Sequence, residues 1–99
     1  MKKQEFEVRL FKALAHPIRL EIVNKLLAGS LCVCELFDDS EFSQPNTSQH
    51  LKILRDAGVL DSAKEGSRII YSIRHPEIKK LVSLSGEIVT LELKKLLEE

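Results

Sequence analysis

Cys32 and Cys34 are the only thiols in this 99-residue chain, and they stand two residues apart in LCVCEL. Thiolates this close together suit soft ions: As(III), Sb(III), Cd, Pb, Hg or Zn. They can also be oxidised to a disulfide. The spacing is C-x-C, not the C-x-x-C of thiol oxidoreductases. Glu35 follows Cys32 by three residues, which on a helix puts both on one face. A carboxylate there suits Zn or Cd better than As(III). Cysteines are also small apolar side chains, and two of them near a helix start can simply pack.

A second set of residues lies just downstream, in SQPNTSQHLKIL. On a helical wheel of about 100° per residue, with Leu51 at zero, Leu54 and Thr47 fall on the packing side. Gln49 and Lys52 fall opposite, with Asn46 beside them and Ser48 at the flank. Asn and Gln can pair bidentately with adenine, Ser and Thr can bond bases or phosphates, and Lys binds phosphate or guanine. A helix N-terminus also favours a phosphate. Asn46, Thr47, Ser48, Gln49 and Lys52 are therefore the residues expected at a major groove. Any surface helix has a polar outer face, so this stretch does not decide the matter alone. His50 reads as structural or as a phosphate contact rather than as a catalyst.

The elements that must hold these residues follow from periodicity. Phe6, Leu10 and Leu14 predict an amphipathic helix over 3–14. His16–Pro17 breaks it, and Pro17 opens a second helix that ends at Gly29. Ser30 reads as the N-cap of a short third helix over 31–38. Ser43 reads as the cap of a fourth, with Pro45 in its first turn, running through Leu51 and Leu54 to Gly58. Alternation over 60–73, with Glu65-Gly66-Ser67 as the turn, predicts a β-hairpin. Lys64 and Arg68 flank that turn, where a wing would touch the backbone or minor groove of DNA. His75–Pro76 opens a last helix striped by Ile78, Leu81, Leu84, Ile88, Leu91 and Leu96. The expected fold is mainly α with a β-hairpin, in the order α-α-α-α-β-β-α, as one domain over 1–99. A short helix, a turn, a polar helix and a hairpin is the layout of a winged helix-turn-helix.

Bulk composition sets limits. The chain has 43% hydrophobic and 30% charged residues, a profile of folded domains. Its 15 basic and 15 acidic residues cancel, so any basic face must be a local patch. Lys52, Arg55, Lys64, Arg68 and Arg74 form one candidate patch; Glu35, Asp38, Asp39 and Glu41 gather on the other side of the balance. No apolar run spans a bilayer, and the start MKKQEFEVRL lacks the apolar core of a signal peptide. The expectation is a cytoplasmic protein with no membrane partner, where two cysteines are reduced thiols. No phosphate-binding glycine loop, nucleophile elbow or paired catalytic acids occur, so an enzyme is not expected. The small core and the long apolar terminal helices predict a homodimer.

ALAHPIRLEIVNKLLAGSLCVCELF, SQPNTSQHLKILRDAGVL and EGSRIIYSI together resemble the ArsR/SmtB family of repressors, over roughly residues 8–75. The resemblance implies a homodimer joined by its first and last helices, bound to double-stranded operator DNA without any cofactor. A ligand then releases it, as at arsenic resistance operons. LCVCEL is similar to the metal-binding box of the arsenic and cadmium/lead branches, which makes Cys32 and Cys34 the ligands. The arsenic branch has a third cysteine where this chain has Phe37, and residues 1–30 hold no cysteine. The last helix, with Glu87, Glu92 and His75 at its start, lacks the zinc branch's paired pattern. A small thiol or water then completes the site. Two residues apart on a helix point about 200° apart, so an ion clamped by both would unwind the third helix. Two alternatives stand beside this: a redox-responsive or ligand-independent repressor of the same fold, and a thiol protein or metal carrier that binds no DNA.

Overall fold

The computed structural model describes residues 2–36 and 46–98. In chain order these form α1 (Lys3–Leu14), α2 (Pro17–Leu26), β1 (Leu31–Cys32), α3 (Val33–Leu36), α4 (Thr47–Asp56), β2 (Leu60–Glu65), β3 (Arg68–Ile73) and α5 (Pro76–Leu97). Local chemistry accounts for the boundaries. His16 is extended, its ring Nδ1 accepts from the Ile18 N–H at 3.1 Å, and Pro17 fills the first helical position of α2. At the end of α4, Gly58 has φ +84°. There the Val59 N–H reaches the Leu54 carbonyl at 2.9 Å and the Gly58 N–H reaches the Arg55 carbonyl at 3.1 Å. That is a Schellman stop, which needs the left-handed backbone glycine supplies. It turns the chain directly from α4 into β2.

β2 and β3 are an antiparallel hairpin whose register runs from Leu60↔Ile73 to Glu65↔Arg68. The two-residue loop puts Gly66 at φ +64°, the left-handed backbone such a loop demands there. Ala13, Ile22, Val23, Leu26, Leu36, Leu51, Leu54, Val59, Leu60, Tyr71, Ile78 and Val82 form one buried core. Every described element except β1 contributes to it, and burying each large aliphatic side chain is worth about 1.5–3 kcal/mol.

Three features differ from the sequence expectation. The third helix does not begin at residue 31: Leu31 and Cys32 are a short strand paired with Tyr71 and Ile70, and α3 begins at Val33; its expected stretch 37–38 lies outside the described residues. The sheet is therefore three-stranded, in the order β1-β3-β2. A two-residue strand carries no periodicity of its own; its partner, some forty positions downstream, defines it. The fourth helix starts at Thr47, because Asn46 has φ +69° and lies before the first turn rather than on it. Ser43, Pro45, Phe37 and the acidic residues Asp38, Asp39 and Glu41 lie outside the described residues.

α5 packs on the core through Ile78 and Val82 and then continues past it. Phe6 and Phe11 of α1 and Leu84, Ile88 and Leu91 of α5 are exposed. Among the described residues, no helix is long and apolar enough to cross a membrane.

Candidate nucleic-acid interface and thiol pair

α4 has one sealed face and one open face. Leu51 and Leu54 are buried, Thr47 and His50 are half-buried, and Asn46, Ser48, Gln49 and Lys52 are exposed. Four of the five groove residues expected from the sequence thus stand in solvent at the helix start, and Thr47 lies at the edge of the packed face. Lys52 pairs with Asp56 one turn on, at 2.6 Å. The Lys52 hydrogen bond holds the Asp56 carboxyl below its ordinary range.

A cluster behind α4 fixes its start. Arg19 donates from Nε to the Ala13 carbonyl at 2.7 Å and from Nη2 to the Lys12 carbonyl at 3.3 Å, closing the end of α1. Its Nη1 lies 3.3 Å from His50 Nδ1. A guanidinium only donates, so His50 Nδ1 accepts and the neutral ring carries its proton on Nε2. The His16 and His50 ring centroids are 4.6 Å apart. Burial lowers the pKa of His50, and the neighbouring His16 and Arg19 charges lower it further.

Arg74 ties the other end of α4 to the hairpin. Its Nε donates to Asp61 Oδ1 at 2.8 Å, and its Nη2 donates to the carbonyls of Arg55 at 3.1 Å and Leu60 at 2.9 Å. The sequence grouped Arg74 with the basic patch; its side chain is instead committed to a helix end and a strand. Arg55 donates to Ser62 Oγ at 3.2 Å and remains exposed. Lys64 and Arg68 are exposed beside the hairpin loop.

The thiols meet at the junction of β1 and α3. Cys32 is buried and Cys34 exposed, their Cα atoms are 5.4 Å apart, and the two sulfurs are bonded as a disulfide rather than standing as the reduced thiols expected from the sequence. The change from strand to helix between them brings the sulfurs together, so the 200° divergence expected on a regular helix does not arise. An ion held by both sulfurs therefore requires no unwinding of α3. Lys25 Nζ donates to the Leu36 carbonyl at 2.5 Å and ties α3 to α2. Glu35 Oε1 accepts the Cys32 N–H at 3.0 Å and lies 3.2 Å from Arg68 Nη2. Sequence reasoning placed Glu35 near Cys32 but missed Arg68, which is thirty-three positions away.

Sulfurs close enough to bond are close enough, once reduced, to hold one thiophilic ion. Among the described residues, no group of three or more His, Cys, Asp and Glu side chains forms a ligand set.

Comparison with known proteins shows which family the chain resembles. Residues 16–62 match the model of the "Bacterial regulatory protein, arsR family". The chain is 41% identical over 90 residues to an HTH-type transcriptional regulator of Methanocaldococcus jannaschii, covering 89% of this chain and 100% of that one. It is 39% identical over 66 residues to the arsenical resistance operon repressor of Staphylococcus xylosus, covering 67% and 64%. A homodimeric winged helix-turn-helix DNA-binding domain from Mycobacterium bovis superposes with a TM-score of 0.84 at 25% identity, covering 93% and 85%.

Proposed function

The chain belongs to the arsR family of DNA-binding transcriptional regulators, and from that premise we propose a homodimeric repressor whose hold on its operator is released through Cys32 and Cys34. The start of α4 enters the major groove with Asn46, Thr47, Ser48, Gln49 and Lys52, and the hairpin wing meets the backbone with Lys64 and Arg68. The observation that carries this reading is the exposure of Asn46, Ser48, Gln49 and Lys52 on a helix whose opposite face is sealed in the core. Second copies meet through α1 and α5, covering Phe6, Phe11, Leu84, Ile88 and Leu91.

The inducer is a thiophilic metal or metalloid, As(III) or Sb(III), or Cd, Pb, Hg or Zn. Cys32 and Cys34 supply two thiolates, and a small thiol or water supplies the rest. The relative named for an arsenical resistance operon supports this choice. The bonded sulfurs support a second reading, in which oxidation of the same pair is the signal. The test is operator affinity. Replacing Gln49 and Lys52 by Ala should each weaken binding, Gln49 at particular base positions by about 10- to 100-fold and Lys52 more uniformly, with a smaller salt dependence. Unchanged affinity in both variants would remove α4 from the groove.

A further inference from the structure

Strand register links the thiols to the wing. In an antiparallel ladder directly opposite residues share a face, and residues two apart along a strand do too. Cys32 pairs with Ile70, so Cys32, Ile70 and Arg68 stand on one face of the sheet. Glu35 fills the space beside them. One carboxylate oxygen accepts both the Cys32 N–H and the Arg68 guanidinium. Arg68 adjoins the hairpin loop and Glu35 adjoins Cys34, so this one oxygen joins the thiol site to the wing.

Resting on the DNA-binding function proposed above, we propose that Glu35 is a positioning residue that withholds Arg68 from DNA while the thiols are bridged. The Cys32–Cys34 bond closes a small ring around Val33 and fixes the residue that follows it. Glu35 is thereby turned back onto the Cys32 N–H, where its free lone pairs meet Arg68. Closing the bridge takes two electrons and two protons from the thiol pair, and a disulfide oxidant accepts them and leaves as two thiols. Opening the bridge returns rotational freedom to residues 32–35. Holding the carboxylate on the Cys32 N–H then costs ordering entropy that the ring had already removed. Arg68 exchanges to a phosphate easily, because the ion pair is exposed on both sides, at 58% for Arg68 and 49% for Glu35. Exposed pairs of this kind shift an equilibrium by no more than about fivefold.

The experiment is a double-mutant cycle of Glu35→Gln and Arg68→Ala on the full-length dimer. Operator affinity is measured at several salt concentrations, in excess dithiothreitol and after oxidation by glutathione disulfide. Glu35→Gln should tighten binding of the oxidised protein by up to about fivefold per protomer and change the reduced protein less. It should also raise the salt slope of the oxidised protein by about 0.9 per wing, the signature of one recovered phosphate contact. In the Arg68→Ala background it should do neither. An equal gain in both redox states, or a full gain without Arg68, would mean that Glu35 acts only as a negative charge near DNA, and would overturn the proposal. If Arg68→Ala weakens reduced binding while Glu35→Gln fails to discriminate, the repressor function survives and this coupling does not. If neither redox state binds DNA with a salt dependence, the function falls and the coupling with it.

Discussion

Replacing Arg74 by Ala separates two roles that a basic residue beside a wing can have. The structure gives its guanidinium three acceptors: Asp61 Oδ1 and the carbonyls of Arg55 and Leu60. The Asp61 pair is exposed and is worth about 0–1 kcal/mol. A hydrogen bond from a charged donor to a carbonyl is worth about 1.5–3 kcal/mol when water is excluded. Arg74 is 34% exposed along its side chain, so water replaces part of what is lost. The expected cost is about 2 kcal/mol, a fall of roughly 8–16 °C in Tm for a domain of this size. Circular dichroism melts at one fixed protomer concentration read this directly, since a dimer's Tm depends on concentration. Arg74→Lys should recover only part of the loss, because a compact ammonium cannot present donors spread like the Nε and Nη2 of a planar guanidinium. At low temperature the folded variant should keep the wild-type salt slope for DNA. An unchanged Tm together with a slope reduced by about 0.9 per protomer would make Arg74 a phosphate contact and not a structural tie.

Two further perturbations test the frame around the site. The folded pKa of His50 lies below its ordinary 6.5, so as pH falls through the window below 6.5 the unfolded chain takes up the proton first. Stability is full above that value and declines beneath it; Tm measured from about pH 7.5 down to pH 5.5 should fall, and His50→Gln should flatten the decline. A wild-type Tm independent of pH over that range would contradict it. Ile88→Glu together with Leu91→Glu puts charges on the exposed stripe of α5, and light scattering should give half the wild-type mass, with operator affinity lost in parallel. A persistent dimer would move the interface elsewhere.

Much of this architecture was legible because it repeats. Helical periods in α1, α2 and α5, the apolar face of Leu51 and Leu54, and the Gly66 turn each announce themselves within a dozen residues. Paired carbonyls and cations do not. β1 is strand only because Tyr71 and Ile70 lie opposite it, and the same apolar letters LCV read equally well as the start of a helix. A helix there would set the two sulfurs on divergent sides, whereas the change from strand to helix after Cys32 brings them together. Arg74 reads as one more cation near the wing until its partners, thirteen to nineteen positions away, are seen. Glu35 was visible as a neighbour of Cys32, but its tie to Arg68 exists only in the folded sheet. With Ser43 read as the cap, Asn46 falls on the groove helix, whereas its left-handed backbone makes it the residue before the first turn.

In the proposed function, the state of one thiol pair sets the affinity of α4 and its wing for DNA. Fluorescence anisotropy of the reduced dimer on its own promoter DNA, titrated with As(III), Cd, Zn and an oxidant, tests it most directly, with Cys32→Ser/Cys34→Ser alongside. Binding should be salt-dependent and reversed by at least one thiophilic ion or the oxidant, and the double variant should bind as tightly and no longer respond. Tight binding that no ion or oxidant disturbs, or a response that survives loss of both thiols, would contradict it.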